Sequence, residues 1–380
     1  MNPLQRLHDL GQSVWLDFID RGFLRRGDLE RRIHEDGVSG MTSNPTIFEK
    51  ALAEGTEYDD QIRAAAGHLT AQQLFEAIAA TDVRDACDIF RPIYDRTGGA
   101  DGYVSIEVSP SAAHDTDATV EEARRLWRAV DRPNVFIKVP GTPAGAKAVR
   151  RLIGDGINVN ITLLFAIEAH ARVIDAYMAG LEDREKVASH QTFASIASVA
   201  SFFVSRVDTE VDRRLDDLIP KLSRADRERA SGLYGKAAIA NAKLAYRLFK
   251  REFATPRWAA LRGRGARVQR PLWASTSTKN PKYRDVMYVE QLIAAQTVNT
   301  MPLATIEAFK DHGVVARTAD VGLDEAERTI ADLERLGISM RDVTDKLLVD
   351  GLAAFQKSYD AVIHGLEVKS RTLGLELATR

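Results

Sequence analysis

Residues 134–142 read Asn-Val-Phe-Ile-Lys-Val-Pro-Gly-Thr, NVFIKVPGT, and the reading of this stretch decides the fold. Val135, Phe136, Ile137 and Val139 are β-branched or aromatic, the pattern of a parallel strand buried on both faces. Lys138 interrupts that run. An ammonium deep in such a strand must find a carboxylate or give up its proton, because desolvation disfavours the charged form. A neutral buried lysine is a nucleophile toward carbonyl carbon. If Lys138 instead ends its strand, its four-carbon stem can snorkel to water. The stretch alone leaves both readings open.

Working outward, the neighbouring stretches have the same character. GYVSIEV (102–108) reads as a strand that Glu107 interrupts much as Lys138 interrupts the next. In INVNITLLF (157–165), Asn158, Asn160 and Thr162 alternate with Ile157, Val159 and Ile161, and a period of two puts the polar set on one face. Five further strands are expected. They lie at 14–16, delivering Asp17; in GVSGMT (37–42), closed by Thr42-Ser43-Asn44-Pro45; at 198–204, with Arg206 just beyond; in PLWAS (271–275), followed by TSTKNPKY; and in TVNTMP (297–302). Asn before Pro disfavours the helical region, so the chain turns at Asn44 and a helix begins beyond it.

Between the strands, helical periodicity is expected over 3–11, 21–36, 59–96, 120–130, 141–153 and 165–180, with a longer helix over 223–253. From about residue 303 the pattern is helical to the end, and Leu348, Leu352, Phe355, Tyr359, Val362 and Leu366 form a stripe at helical spacing. Eight strands separated mostly by helices predict an α/β fold, a (β/α)8 TIM barrel with additional helices and a C-terminal helix packed on it. No linker or repeat divides the chain, so residues 1–380 are expected to form a single domain.

Composition narrows the function classes. The 380 residues include 52 Lys plus Arg against 54 Asp plus Glu, a net charge of −2, which argues against a dedicated nucleic-acid surface. Cys87 is the only cysteine, which excludes an intrachain disulfide framework and any cysteine-rich metal site. No segment approaches the ~18 uninterrupted apolar residues of a membrane helix, and no signal-peptide core is read at the start. The expectation is a cytoplasmic protein without nucleic-acid or membrane partners. The eight histidines show neither HExxH nor paired spacing, so no metal site is expected.

Asp17, Asn44, Glu107, Lys138, Asn160, Thr162, Ser201 and Arg206 fall within or just after successive strands. In a closed barrel those strand ends converge on one mouth, where barrel active sites lie. Each residue alone has an ordinary reading: a helix cap for Asp17, a turn for Asn44, a salt-bridge partner of Lys138 for Glu107. Their order and local context resemble the transaldolase family along nearly the whole chain. TSNPTIF, VSIEV, FIKVPGT, GINVNITLLF, ASFFVSR and TVNTMP carry the resemblance. The chain is most similar to the long bacterial subfamily that also occurs fused to glucose-6-phosphate isomerase, with no isomerase portion read here.

The resemblance implies transfer of a dihydroxyacetone unit from sedoheptulose 7-phosphate or fructose 6-phosphate to glyceraldehyde 3-phosphate or erythrose 4-phosphate, in the pentose phosphate pathway. It implies no cofactor. Lys138 would form the Schiff base and Asp17 would move the C4 hydroxyl proton. Glu107, with Thr162 and a water, would serve imine formation and hydrolysis. Asn44 and Asn160 would hold hydroxyls, with Phe203 in the pocket, and Arg206 with Ser201 would bind phosphate. Shorter relatives carry an arginine after the seventh strand where this chain offers Lys279, so the charge is kept and the planar fork lost. The nearest alternative is a Schiff-base aldolase resembling fructose-6-phosphate aldolase, whose members carry Gln and Tyr where this chain has Glu107 and Phe203. The sequence leaves monomer or homodimer open.

Overall fold

The computed structural model describes residues 2–53, 55–187 and 192–378. Eight parallel strands close into a barrel in sequence order: β1 (Gln12–Asp17), β2 (Gly40–Thr42), β3 (Val104–Glu107), β4 (Val135–Pro140), β5 (Val159–Leu164), β6 (Ser198–Phe203), β7 (Arg270–Ala274) and β8 (Thr297–Met301). Helices on the outside cover the sheet, which is why the strands are buried along both faces and read as apolar runs. The expected (β/α)8 architecture is present with all eight strands in the expected stretches.

Local chemistry fixes the strand-to-helix turns. After β4, Thr142 caps the helix Pro143–Asp155 by accepting a hydrogen bond from the Gly145 amide at 2.9 Å. A Cβ on Gly145 would lie 1.9 Å from the Pro140 carbonyl oxygen, so only glycine lets this helix start so close to the strand that carries Lys138. Asn44 caps the helix Pro45–Ala53 in the same way, accepting from the Ile47 amide at 3.2 Å. Two non-glycine residues at the mouth adopt left-handed backbone, Leu163 (φ 59°) and Ser275 (φ 57°), and β5 shifts register against β6 between Ile161 and Leu164. Such strain concentrates at functional sites.

Three expected helices are broken. The stretch 21–36 divides into Arg21–Arg25 and Asp28–Asp36 at Gly27, whose φ is 75°. The stretch 59–96 divides into Asp59–Ala65 and Ala71–Arg96 around Gly67, and 223–253 into Arg224–Ser231 and Ala237–Glu252 around Gly235. A left-handed residue ends an α-helix, and charge and periodicity on either side do not reveal it. Ala237–Glu252 packs against Ile167–Val187, Ser205–Leu218 and Leu323–Arg335.

After β8 the chain forms Leu303–His312, Leu323–Arg335 and a terminal helix, Met340–Thr372, separated by loops rather than continuously helical. The terminal helix lies over the C-terminal mouth against Pro45–Ala53, Ala71–Arg96 and Ser205–Leu218. Its buried face differs by one position from the expected stripe at its start. Leu347 and Gly351 are buried, whereas Leu348 and Leu352 are half-buried; Phe355, Tyr359, Val362 and Leu366 are buried as expected. No described helix is long and apolar enough to cross a membrane.

Candidate active site

Strand register gathers the polar residues. Glu107 of β3 pairs with Lys138 of β4, which pairs with Asn160 of β5, so the three stand in one row across adjacent strands. Lys138 is 5% exposed, and its Nζ lies 3.4 Å from Glu107 Oε2 and donates to the Ser43 carbonyl at 3.0 Å. The snorkelling alternative therefore does not hold. Burial raises the Glu107 carboxyl to about 7, against the opposing pull of the Lys138 charge. A cavity of about 20 Å³ borders Glu107, Asn44 and Tyr359, enough for about one water molecule.

Above this row opens a cavity of about 1670 Å³, lined among others by Asp17, Asn44, Lys138, Thr162, Ser201 and Phe203, with Arg206 and Lys279 on its wall. Asp17, the last residue of β1, accepts from Thr42 Oγ1 at 2.7 Å, and Thr42 Oγ1 in turn lies 2.7 Å from Thr300 Oγ1 of β8. Burial raises the Asp17 pKa, opposed by Lys138, by the Thr42 hydrogen bond and by Lys279. Thr162 Oγ1 is buried and has no hydrogen-bond partner among the described residues.

Asn160 is fully buried beneath this cavity. Its Nδ2 donates to Ser105 Oγ at 3.0 Å and its Oδ1 accepts from Ser201 Oγ at 2.7 Å. An asparagine amide offers two donors and two acceptor positions, so half of its capacity is still unused.

Arg206 stands in the first turn of Ser205–Leu218, where β6 ends. Its guanidinium carbon is 5.2 Å from the Phe203 ring centroid, and among the described residues it has no salt bridge or hydrogen bond. Desolvation lowers the Arg206 pKa from a value so high that the side chain stays cationic. Lys279 donates to Ser277 Oγ at 2.8 Å; burial lowers its pKa, and repulsion from Arg206 lowers it further. Two cations thus face one cavity, and of the two only Lys279 feels the Asp17 carboxyl, which partly offsets the lowering of its pKa.

The barrel brings together every residue singled out from the sequence. It adds several that sequence reasoning passed over as site residues: Thr42, Ser43, Ser105 and Thr300 inside the barrel, and Phe355 of the terminal helix. Ser105 had a signal, since it stands two residues before Glu107 and hence on the same strand face. Phe355 had none beyond its place in an apolar stripe.

A sequence model described as transaldolase/fructose-6-phosphate aldolase matches residues 14–366. The chain belongs to this family. A transaldolase from Parafrankia sp. (strain EAN1pec) is 48% identical over 363 residues, covering 95% of this chain and 96% of that protein. A transaldolase from Thermobifida fusca (strain YX) is 47% identical over 364 residues, with the same coverage of each chain. A protein named transaldolase 2 from Nostoc sp. (strain PCC 7120) is 44% identical over 381 residues, covering 98% of this chain and 99% of the relative. These alignments cover 95–98% of this chain, so they take in most of the terminal helix as well as the barrel.

Proposed function

We propose that this family member is a transaldolase, an enzyme of the transferase class, and that it carries a three-carbon dihydroxyacetone unit on Lys138 as a Schiff base. Relatives 44–48% identical along nearly the whole chain bear the name transaldolase, which supports the activity. The observation that carries the mechanism is the pairing of a lysine 5% exposed with a carboxylate 3.4 Å away, at the floor of a cavity with two cations on its wall.

Donors are sedoheptulose 7-phosphate or fructose 6-phosphate, and acceptors glyceraldehyde 3-phosphate or erythrose 4-phosphate. Glu107, held near neutrality by burial, takes the proton that frees the Lys138 amine. The amine adds to the ketose carbonyl; Glu107, Thr162 and a water then move the protons by which the carbinolamine loses water and becomes an iminium. Asp17 takes the C4 hydroxyl proton, the C3–C4 bond breaks, and its electron pair flows to the iminium nitrogen to give an enamine. The aldehyde product leaves. An acceptor aldehyde is then attacked by C3, and Asp17 returns the proton to the new alkoxide. Hydrolysis of the iminium releases the product ketose and the amine.

Asn44 and the unused half of the Asn160 amide hold the donor hydroxyls. Arg206, with Ser201 and Lys279, holds the phosphate, for which a guanidinium offers paired donors. Residues 1–380 work as one domain, in the cytoplasm where sugar phosphates are metabolised. The family description joins transfer with fructose-6-phosphate aldolase activity; Glu107 and Phe203, in positions where the aldolases resemble one another in Gln and Tyr, favour transfer.

Borohydride reduction in the presence of fructose 6-phosphate, followed by peptide mass analysis, tests the assignment. The label should fall on Lys138 and disappear in Lys138→Met. A label that survives that substitution refutes the Schiff-base role of Lys138.

A further inference from the structure

The terminal helix places an aromatic ring over the nucleophile. Phe355 is 7% exposed, lines the same cavity as Lys138, Asp17 and Thr162, and has its ring centroid 5.7 Å from Lys138 Nζ. The helix that carries it is tied down on both sides of this position. One turn earlier, Gly351 lies so close to the mouth that an added Cβ would be 2.9 Å from Leu163 Cδ2. One turn later, Tyr359 meets Phe75 edge-on with ring centroids 5.6 Å apart, and Phe75 meets Phe48 at 5.5 Å. Ser358 Oγ lies 2.8 Å from Thr46 Oγ1, and Lys369 Nζ donates to the carbonyls of Leu52 and Gly55 and pairs with Asp59 at 3.1 Å. Phe355 is therefore presented by a braced helix rather than by a loop.

That position bears on what happens after cleavage. The three-carbon enamine on Lys138 has two fates. It can attack an acceptor aldehyde, or C3 can take a proton from water to give an iminium, to which a second water adds, releasing dihydroxyacetone and the free amine. Both fates end in hydrolysis of an iminium, and only the second begins with a proton taken from water at C3 before an acceptor has added. An apolar ring 5.7 Å from Nζ keeps bulk water from the enamine carbon C3, whereas the small cavity beside Glu107, which Phe355 does not line, can hold the water of iminium hydrolysis; the ring also faces the cationic nitrogen with the negative face of its π-system.

We infer that Phe355 is a specificity-determining residue, which favours transfer over release by keeping water from the three-carbon unit on Lys138. The inference rests on the Schiff-base reading proposed above. It predicts a ratio, measured with fructose 6-phosphate as donor: the rate of dihydroxyacetone release without acceptor, divided by the rate of sedoheptulose 7-phosphate formation with erythrose 4-phosphate. Phe355→Ala should raise this ratio by about tenfold or more, equivalent to about 1.4 kcal/mol between the two barriers. Phe355→Leu, which keeps an apolar cover, should stay within about threefold of the parent, the loss expected for a ~0.6 kcal/mol cation–π contact alone. If Phe355→Ala does not yield folded protein, Phe355→Val opens the same face in part and must move the ratio in the same direction. Borohydride trapping is run on each variant. Normal trapping on Lys138 with an unchanged ratio in the opened variant overturns the inference, and so does a rise in Phe355→Leu equal to that in Phe355→Ala. Absence of trapping in the parent protein overturns the Schiff-base reading instead.

Discussion

Arg206 offers the sharpest test of how the cavity is used, because its removal should cost catalysis and spare the fold. Its guanidinium is desolvated, rests on the Phe203 ring and has no salt bridge or hydrogen bond among the described residues, while Lys279 is near enough to repel it. Arg206→Ala therefore breaks no ion pair. The structural loss is one cation–π contact of about 0.5–2 kcal/mol, offset in part by relief of a like-charge repulsion. For a chain of 380 residues, whose unfolding entropy is about 0.8 kcal/mol/K, a net loss near 1 kcal/mol lowers the melting temperature by roughly 1–2 °C. The catalytic loss is larger if Arg206 holds the substrate phosphate. A charge-assisted hydrogen bond contributes about 1.5–3 kcal/mol, so kcat/KM for fructose 6-phosphate should fall about 10- to 150-fold. With fructose as donor there is no phosphate to lose, and the fall should largely vanish. Lys279→Ala should show the same pattern with a smaller loss, since an ammonium lacks the paired donors of a guanidinium, and Lys279→Arg should be tolerated. The assay is kcat/KM for both donors beside a melting curve. Equal losses for fructose and fructose 6-phosphate, or a collapse of the melting temperature, would show that these cations support the barrel rather than the phosphate.

Asp17→Asn should still permit trapping of the ketose on Lys138 while slowing C–C cleavage by about 10²- to 10⁴-fold, and near-parental single-turnover cleavage refutes its assignment. Glu107→Gln should slow imine formation, and an ionisation near pH 7 in the trapping rate, with the carboxylate form dominant above it, should be absent from that variant; its persistence would place the ionisation elsewhere. Gly351→Leu should push against Leu163 and Arg206, whose Nη1 is 3.6 Å from an added Cβ, and raise KM for fructose 6-phosphate more than for fructose; an equal rise for both donors counts against that contact. His170 is fully buried beside Phe202, and neither ring nitrogen has a hydrogen-bond partner among the described residues. Burial lowers its pKa from 6.5 to about 4, so the unfolded chain binds the extra proton, and the stability present above pH 6.5 is lost as pH falls toward 4. The loss is about 3 kcal/mol, and urea titrations at pH 7.5 and 4.5 should find it reduced by that amount in His170→Leu; the same pH dependence in both proteins would refute the assignment.

Short-range chemistry made much of this protein legible in its sequence. A strand buried on both faces must be apolar, so β4 and β5 announce themselves, and any charge within them is conspicuous: Lys138 and Glu107 stand out for that reason. Asn44 followed by Pro45 marks a turn and a helix start through the restrictions that proline places on its neighbour. Where a helix breaks is less visible, because Gly27, Gly67 and Gly235 take a positive φ whereas Gly351 continues its helix, and packing rather than local sequence selects between the two. Likewise Leu347 and Leu348 are equally apolar, and only the angle at which the terminal helix meets the barrel decides which is buried. Barrel closure decided the rest. It puts β8 beside β1 and so links Thr300 to Thr42 and Asp17, and its register sets Glu107 against Lys138. It also gives the terminal helix a mouth to cross, which brings Phe355 over Lys138. Periodicity records which face of an element is buried, a property of neighbours along the chain; which residue it meets there is set by the register of other strands and the docking of other helices, and no local pattern carries that information.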